Sequence, residues 1–520
     1  MEKKDGTFQG TRVPFTKNET RHKDAPAADI PEINLAIDFC LPVRAFHCTC
    51  IALPGIASAD SSIYQGEYFS NVPSSRYKSV HLEKVEGYCD KFKYPNDLVI
   101  IVKTGANEVY DKVPTQLLTS LSCYRDILFF SDLEQQFGGY HIHDAIENVP
   151  LTIQRGNAEF NYYHKLRWYK NHGKDISRLR ETDGTAAWEL DKYKFLHMLE
   201  DAWRLRPGRK WYVFIEADTY LVQANLFHWL RRLDPTKLVY FGSHAYHKAP
   251  FAHGGSGFLL SGAAMAKYVR GDRGIINMYD EMMKQEPFGD YVLSQALVAK
   301  GVNLTNAAPM LSAEKPTTLP FGPGPAGKDS HWCRPIVTLH HITPQEASSL
   351  WQLELQRKDP TVSTNHHSVA HTRTRQTKHT LQAPLLYQEL FKSMIRADIA
   401  ATRDDWDNLS DHSFVRPPGE HGDRQKPLDG LSRIQQEAHL SFEKCGRACE
   451  EDPRCFQYMY SNRTCGFSWF FRLGESRRPE EGISFQSGWD LDKIAKYQAE
   501  YACSVASTRW IDWPSGDKKT

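Results

Sequence analysis

The chain has 520 residues with 64 basic and 63 acidic side chains, so its net charge is close to neutral. This balance argues against a nucleic-acid-binding protein, for which a clustered excess of basic residues is expected. The length corresponds to roughly two to four domains of about 100–200 residues each, and a hydrophobic content of 41% is typical of a globular protein.

Residues 1–80 are polar and irregular, and we interpret them as a tail or stem. Their most apolar stretch, residues 33–57, is interrupted by Asp38 and Arg44 and does not resemble a membrane-spanning helix, which needs about 20 mostly apolar residues. No ordinary signal peptide opens the sequence. The cysteines described below nevertheless indicate the secretory pathway, so we hypothesise an N-terminal anchor that this sequence does not make evident.

Two short, apolar, β-branched runs predict the first strands, at Asp97–Gly105 and Asp126–Asp132. A helix carrying Val113, Leu117, Leu118 and Leu121 is predicted between them. Strand, helix and strand at this spacing predict a parallel α/β unit.

A long amphipathic helix is predicted over Thr185–Leu205, followed by strands at Trp211–Ile215 and Lys237–Ser243. The fold class is therefore α/β with a mostly parallel central sheet. Ligands of such sheets bind beyond the carboxyl ends of the strands. The residues predicted at these ends are Thr104, Gly105, Asp132, Glu216 and Asp218.

Glu216 and Asp218 follow directly on the apolar strand that starts at Trp211. In an extended segment, residues i and i+2 point the same way, so both carboxylates can face one cation. Oxygen ligands suit Mg²⁺ or Mn²⁺. The alternative is a strand that reaches solvent, with Asp218 capping the next helix.

The Gly-rich segment Phe251–Met265 contains Gly254 and Gly255, which allow the backbone to approach a ligand closely. It lacks the Lys-Ser/Thr ending of a P-loop, and a tight turn before a core helix is the alternative. Asp290 begins a predicted helix that ends at Gly301, where it can act as the N-cap, as a general base, or as both.

The segment Arg334–Pro344 is predicted to be a short strand with adjacent histidines. Alternation would put His340 and His341 on opposite faces, so that only one reaches a site. Histidine is a good ligand for a borderline cation such as Mn²⁺, although a core or surface histidine is the commoner case.

The sequence becomes polar after about residue 350, and residues 358–380 are rich in Thr and His, as in a solvated linker. Four of the eleven cysteines then lie close together, which predicts a small disulfide-linked module in an oxidising compartment. We divide the chain into a tail (1–80), an α/β domain (81–350), a linker with a helix (351–430) and a cysteine-rich module (431–505). Four N-glycosylation sequons fit this compartment, at Asn18, Asn303, Asn408 and Asn462.

The order of these motifs resembles the Fringe-like and core-1 β-1,3-galactosyltransferase-like enzymes of glycosyltransferase family 31, particularly their fungal branch. The resemblance covers roughly Tyr88 to Leu350 and rests on the acidic pair followed by Thr-Tyr, then "GGSGFLLS", "FGD" and "TLHHI". It implies a GT-A-type nucleotide-sugar-binding domain. It also implies an inverting, Mn²⁺-dependent transfer of a hexose from a UDP-sugar to a glycan or glycoprotein hydroxyl in the Golgi lumen, by a type II membrane protein.

The resemblance also implies roles for individual residues. Asp218 and His340 match the family's metal ligands, Glu216 its first acid where Asp is usual, and Asp290 its catalytic base, with Gly289 in place of a Glu. Gly254 and Gly255 match the acceptor-side turn, whereas Thr104, Gly105 and Asp132 fall in the nucleotide pocket. Because of the departures at Glu216 and Gly289, two alternatives remain: a non-catalytic binder of glycans or nucleotide sugars, and a hydrolase of sugar nucleotides.

The cysteine-rich module resembles a PAN/apple domain, a class that binds proteins or carbohydrate. This resemblance implies a helix that carries the first two cysteines and is linked to the strands that follow, with pairs Cys445–Cys465 and Cys449–Cys455. Four cysteines alone permit three connectivities. Cys89 and Cys123 flank the first strand and form a further candidate pair.

Overall fold

The computed structural model describes residues 85, 88–90, 97–271, 274–324, 331–357, 383–427, 429–480, 482–504 and 507–512. They belong to one compact unit, Leu82–Thr520. The predicted tail of residues 1–80 and the Thr- and His-rich segment of residues 358–380 lie outside the described residues. Among the described helices, none has the length and apolar character needed to cross a membrane.

Twelve strands precede the cysteine-rich region: β1 Leu98–Lys103, β2 Ile127–Ser131, β3 Gln135–Phe137, β4 Tyr140–Asp144, β5 Trp211–Glu216, β6 Tyr220–Leu221, β7 Tyr240–Gly242, β8 His244–Tyr246, β9 Pro250–Ala252, β10 Phe258–Ser261, β11 Thr305–Asn306 and β12 Thr338–Leu339. Eight of them form the central sheet, in the order β11-β7-β10-β5-β1-β2-β4-β3. β5, β1, β2 and β4 run parallel, whereas β10 and β3 run antiparallel to their neighbours. The prediction of an α/β protein with a mostly parallel sheet is confirmed.

Helices cover both faces of this sheet, so β1 is buried along its whole length and reads as one continuous apolar run. The α-helices of this region are Val109–Leu118, Leu151–Gln154, Asn161–Asn171, Leu179–Thr182, Gly184–Asp191, Lys194–Leu205, Gln223–Leu230, Gly262–Val269, Gly274–Met283, Gly289–Ala299 and Pro344–Gln356. The strands predicted at Asp97–Gly105 and Asp126–Asp132 and the helix predicted from Asp290 are confirmed.

The single helix predicted over Thr185–Leu205 is wrong, because the structure divides it into Gly184–Asp191 and Lys194–Leu205. At the break, Lys192 Nζ and the Tyr193 hydroxyl both contact Glu159, at 2.7 and 2.6 Å. These tertiary contacts are not encoded in the apolar periodicity. Trp188, an aromatic residue within the predicted amphipathic helix, is 51% exposed.

The C-terminal region contains a second sheet in the order β13-β19-β16-β17-β15. The strands described in this region are β13 Thr402–Asp404, β14 Trp406–Asp407, β15 Ser413–Val415, β16 Gln457–Ser461, β17 Thr464–Ser468, β18 Glu475–Ser476 and β19 Gln486–Trp489. β14 and β18 pair with each other outside the five-stranded sheet. The region's α-helices are Tyr387–Leu390, Arg433–Gln436, Phe442–Glu451 and Leu491–Glu500. β13 and β15 precede residue 431, so this sheet includes strands from the segment interpreted as a linker with a helix.

Four disulfides are present among the described residues. Cys445–Cys465 joins the helix Phe442–Glu451 to β17, Cys449–Cys455 joins it to the segment just before β16, and Cys89–Cys123 joins the segment before β1 to the one before β2. These three predicted pairs are confirmed. The fourth, Cys333–Cys503, links positions 170 residues apart and was not predicted.

One hydrophobic core joins the α/β region to the C-terminal region. Tyr220 and Leu339, from the β6–β12 pair, belong to the same buried cluster as Phe471, Trp489 and Tyr497. The two regions are therefore packed as a continuous body rather than tethered by a linker alone. Of the sequons, Asn408 is fully buried and its amide donates to two backbone carbonyls, which leaves no room for a glycan in the folded protein.

Candidate active site

The carboxyl ends of three adjacent strands meet at one edge of the central sheet. The register pairs Lys103 at the end of β1 with Phe130 of β2 on one side and with Glu216 of β5 on the other. The residues predicted from strand ends therefore converge at this edge: Thr104, Gly105, Asp132, Glu216 and Asp218.

Two lysines provide the positive charge that the acidic strand end needs. Lys103 Nζ lies 3.1 Å from Glu216 Oε1, and Lys112 Nζ lies 3.1 Å from Asp218 Oδ2. The side chain of Lys103 is almost fully buried, whereas the side chains of Lys112 and Asp218 are 25% and 18% exposed to solvent. Glu216 is thus held by a buried partner, and Asp218 by one that solvent can reach.

Asp218, His340 and His341 form the one cluster of potential metal ligands among the described residues, with ligand atoms within 4.8 Å of one another. His340 Nε2 lies 3.3 Å from Asp218 Oδ1, and His341 Nδ1 lies 4.0 Å from Asp218 Oδ2. Glu216, predicted as a further ligand, is outside this cluster, although its Oε2 lies 3.7 Å from His340 Nε2.

The expectation that the two histidines point to opposite faces is wrong. The strand ends before them, at Thr338–Leu339, and His341 has a φ of 58°, in the left-handed region. The chain therefore turns after His340, and the two rings lie 3.8 Å apart. Both histidines reach Asp218, which alternation along a longer strand would have prevented.

A divalent cation fits these residues. His340 is buried, and neither ring nitrogen makes a well-aligned hydrogen bond within the described part of the chain, although Nε2 lies 3.3 Å from Asp218 Oδ1. Buried polar atoms are normally paired, so an incompletely bonded imidazole beside a carboxylate is suited to metal coordination. A donor set of carboxylate oxygen and imidazole nitrogen is compatible with Mn²⁺.

The electrostatics of the site keep the Asp218 carboxylate ionised. Burial opposes ionisation of Asp218, but His340 and Lys112 outweigh it and lower the pKa of Asp218 to about 2. Burial likewise disfavours a charged His340, yet Asp218 and Glu216 raise its pKa to about 9. A proton therefore occupies His340 at neutral pH, at the place a divalent cation would take.

The predicted glycine turn packs directly against His340. A Cβ at Gly255 would lie 2.1 Å from His340 Cε1, so only glycine fits there. Thr219 Oγ1 donates to the Gly255 carbonyl at 2.7 Å, and Thr338 Oγ1 donates to the Ser256 carbonyl at 2.6 Å. The turn is therefore tied both to the acidic loop after β5 and to β12.

Asp290 lies on the other side of this turn, in the first turn of its helix rather than at the N-cap, which is Phe288. Its Oδ2 accepts from the Gly254 N–H at 2.8 Å, and its Oδ1 from the Tyr291 N–H at 2.9 Å. Desolvation raises the pKa of Asp290 to about 7, despite these two hydrogen bonds. A carboxylate with such a pKa is suited to accept a proton near neutral pH.

Close packing against Lys192 and Phe195 explains why residue 289 is a glycine. A Cβ at Gly289 would lie 2.3 Å from the Lys192 carbonyl oxygen and 2.7 Å from Phe195 Cδ2. A glutamate at this position would displace the helix that starts at Lys194. The single acid at Asp290 is thus a consequence of close helix packing.

Thr104, Gly105 and Asp132 lie at the sheet edge with mainly internal partners. Asp132 is 1% exposed, and its Oδ1 accepts from the Ala106 N–H at 2.6 Å. The Thr104 carbonyl accepts from Lys194 Nζ at 2.8 Å. These contacts shape the loop after β1, and they give Asp132 a part in positioning that loop.

The lysines of this site and His253 were not predicted from the sequence. Lys103 ends an otherwise apolar strand and Lys194 stands in an apolar stretch of its helix. A charged side chain inside a buried pattern is costly unless it is paired, so these positions carried a readable signal. Lys112 carried none, because its partner Asp218 lies 106 residues away in the sequence. His253 carried none either, because His340, the site residue whose ring it approaches, comes from a distant segment.

No protein-family model matches the chain. The chemistry of this site must therefore support a functional conclusion by itself.

Proposed function

We propose that the protein is an inverting, metal-dependent glycosyltransferase that moves a hexose from a UDP-sugar to a hydroxyl of a glycan or glycoconjugate, in a β-1,3 linkage. The observation that carries the proposal is the pairing of two groups across one glycine turn. His340, which lies 3.3 Å from Asp218, packs against Gly255 of this turn, and Asp290, with its pKa of about 7, accepts a hydrogen bond from the N–H of Gly254.

The fold supports a GT-A-type nucleotide-sugar domain. An open, mostly parallel sheet with its charged residues at the carboxyl ends of β1, β2 and β5 is the kind of sheet that binds ligands at that edge. The four disulfides favour a chain that folds in the secretory pathway, with the Golgi lumen as the proposed location.

In the proposed reaction, Asp218 and His340 would hold Mn²⁺, and the cation would supply positive charge to stabilise the departing diphosphate. Asp290 accepts the proton of the acceptor hydroxyl as its oxygen forms a bond to the anomeric carbon. The bond from that carbon to the β-phosphate oxygen breaks, and its electron pair leaves with UDP. Attack from the face opposite the leaving group inverts the anomeric centre.

One observation favours the second candidate, a binder of nucleotide sugars or glycans without turnover. The acidic pair already has lysine partners, because Lys103 pairs with Glu216 and Lys112 pairs with Asp218, although each lysine also pairs with a second carboxylate, Asp191 and Glu108 respectively. A metal at Asp218 Oδ2 would displace Lys112, which is accessible enough to move, whereas Oδ1 faces His340. The binder predicts metal-dependent UDP binding without consumption of any UDP-sugar.

The test is UDP release by the purified chain from a panel of UDP-sugars and glycan acceptors, with Mn²⁺ or with EDTA. We expect release from one donor, accelerated by an acceptor, and lost with EDTA. Asp218→Asn keeps the size of the side chain but removes its charge, and should lower release at least about 100-fold, as expected when a charged metal ligand is lost. Asp423→Asn, at an exposed aspartate, is the matched control.

The outcomes separate the candidates. UDP release that no acceptor accelerates would indicate a hydrolase, and UDP binding without release would indicate the non-catalytic binder. Absence of Mn²⁺-dependent UDP binding in the unmodified protein would contradict the proposed site altogether.

A further inference from the structure

His253 is held in one tautomer by its neighbours. The backbone N–H of Ser256 donates to His253 Nδ1 at 3.1 Å, and the Ser256 hydroxyl lies 2.8 Å from the same nitrogen. A backbone amide can only donate, so Nδ1 carries no proton and the imidazole is neutral with its proton on Nε2.

The Nε2–H of His253 has no hydrogen-bond partner among the described residues, and the side chain is partly exposed. The ring is also fixed in place. The backbone N–H of His253 donates to the Ser243 carbonyl at 2.9 Å. Ser256, whose backbone N–H donates to Nδ1, is fully buried. The result is a rigid, neutral hydrogen-bond donor whose free N–H is available to a ligand.

His253 lies between the two halves of the proposed site. Its ring centroid is 5.6 Å from that of His340, on the metal side, and the next residue, Gly254, donates to Asp290 on the acceptor side. In an inverting transfer the leaving group and the attacking hydroxyl occupy opposite faces of the sugar. The group that lies between them is the transferred hexose.

We infer that His253 is a donor-sugar specificity residue, whose Nε2–H binds a hydroxyl of the hexose of a UDP-hexose and does not contact the UDP portion. This inference rests on the proposed function, because it requires UDP to occupy the Asp218–His340 side. The neutral ring gives directional recognition without adding positive charge to the cation site.

The experiment compares binding of UDP and of the preferred UDP-hexose by calorimetry in Mn²⁺. His253→Asn can still accept from the Ser256 N–H but cannot reach the position of Nε2. It should weaken UDP-hexose binding about 5- to 30-fold, the cost of one unpaired sugar hydroxyl, and leave UDP binding unchanged. His253→Gln, which carries an N–H donor to about that position, should recover part of the loss, and His421→Asn, at an exposed histidine, should change neither affinity.

Deoxy analogues of the UDP-hexose identify the partner hydroxyl. With the analogue that lacks it, the affinities of the unmodified protein and of His253→Asn should become equal, as in a double-mutant cycle. Equal loss of UDP and UDP-hexose affinity, or no loss of either, would overturn the assignment while leaving the proposed function intact. If UDP itself does not bind the unmodified protein in Mn²⁺, the proposed function fails and this inference fails with it.

Discussion

Asp290 combines two features that usually oppose each other in a carboxylate. It accepts two backbone hydrogen bonds, which favour ionisation, yet desolvation outweighs them and raises its pKa to about 7. The Gly254 N–H therefore orients the carboxylate without making it a weak base. This arrangement gives a positioned proton acceptor in a site that otherwise attracts cations.

The first prediction concerns the pH dependence that Asp290 imposes. Only the ionised carboxylate accepts a proton, so turnover of saturating UDP-sugar should rise from pH 6 to pH 8 with an apparent pKa of about 7. Asp290→Asn should lower kcat by about 100-fold or more and remove this rise, because the amide has no basic oxygen. Initial rates over this pH range provide the measurement, and UDP affinity should not change.

A full kcat in Asp290→Asn would contradict its role as the base. Loss of UDP affinity in the same variant would instead indicate that the substitution disturbs the glycine turn.

At the residue scale, the sequence predicted the residues with distinctive local patterns. Glu216, Asp218, Gly255 and His340 all lie at the sheet edge or against it. The lysine partners were not predicted, because Lys112 reaches Asp218 from a position 106 residues earlier. Pairing across such a separation depends on tertiary structure, which local patterns do not specify.

At the element scale, the β6–β12 pair brings the metal side of the site together. Leu339 pairs with Tyr220, which brings together His340, one residue after Leu339, and Asp218, two residues before Tyr220. Tyr220 and Tyr88 both donate to Glu354, at 2.7 and 2.8 Å, in the helix that follows His341. This buried carboxyl fixes β6 against the helix Pro344–Gln356.

The second prediction concerns stability. Burial raises the pKa of Glu354 from 4.5 to about 7, so the folded state retains a proton that the unfolded state has lost between these values. The contribution of the buried Glu354 carboxyl to the free energy of unfolding is complete below pH 4.5 and is lost as the pH rises through 7. From pH 5 to pH 8, the unfolding free energy of the unmodified protein should fall about 3 kcal/mol more than that of Glu354→Gln.

Urea unfolding of both proteins at several pH values provides the measurement. Glu147→Gln, at an exposed glutamate, is the control and should follow the unmodified protein. Parallel curves for the unmodified protein and Glu354→Gln would contradict a raised pKa.

Strands and helices with strong patterns were predicted, and the errors occur where tertiary contacts decide. β1 and β2 are short continuous apolar runs, and the structure has both. The break at Lys192 and Tyr193 and the left-handed φ of His341 were missed, because neither interrupts its local pattern. Strands as short as β6 and β12, with two residues each, give no periodicity to detect.

At the scale of the whole molecule, the C-terminal region completes the core behind the metal side of the site. Its Phe471 and Trp489 belong to the same buried cluster as Tyr220 and Leu339. Cys333, seven residues before His340, is joined to Cys503 after the last helix. Packing and a covalent link therefore both connect the cysteine-rich region to the chain that carries the histidines.

The third prediction follows from the length of that covalent loop. Cys333–Cys503 closes 170 residues, whereas Cys449–Cys455 closes 6. On the chain-entropy model, the longer loop restricts the unfolded state more, so replacing Cys333 and Cys503 by Ser should cost about 5 kcal/mol, against about 2 kcal/mol for Cys449 and Cys455. Thermal unfolding of both double-Ser variants, without reductant, provides the comparison.

Because the two regions also share a hydrophobic core, comparing these two variants tests whether the disulfide Cys333–Cys503 adds stability beyond that of the packing. If the cluster around Phe471 alone holds the two regions together, both variants should lose similar stability. A larger loss for the Cys333 and Cys503 variant, with Mn²⁺-dependent UDP affinity preserved at low temperature, would show that the disulfide stabilises the assembled body. A loss of UDP affinity in the folded variant would show that the disulfide also positions His340, because the two lie on one short segment between the core and the site.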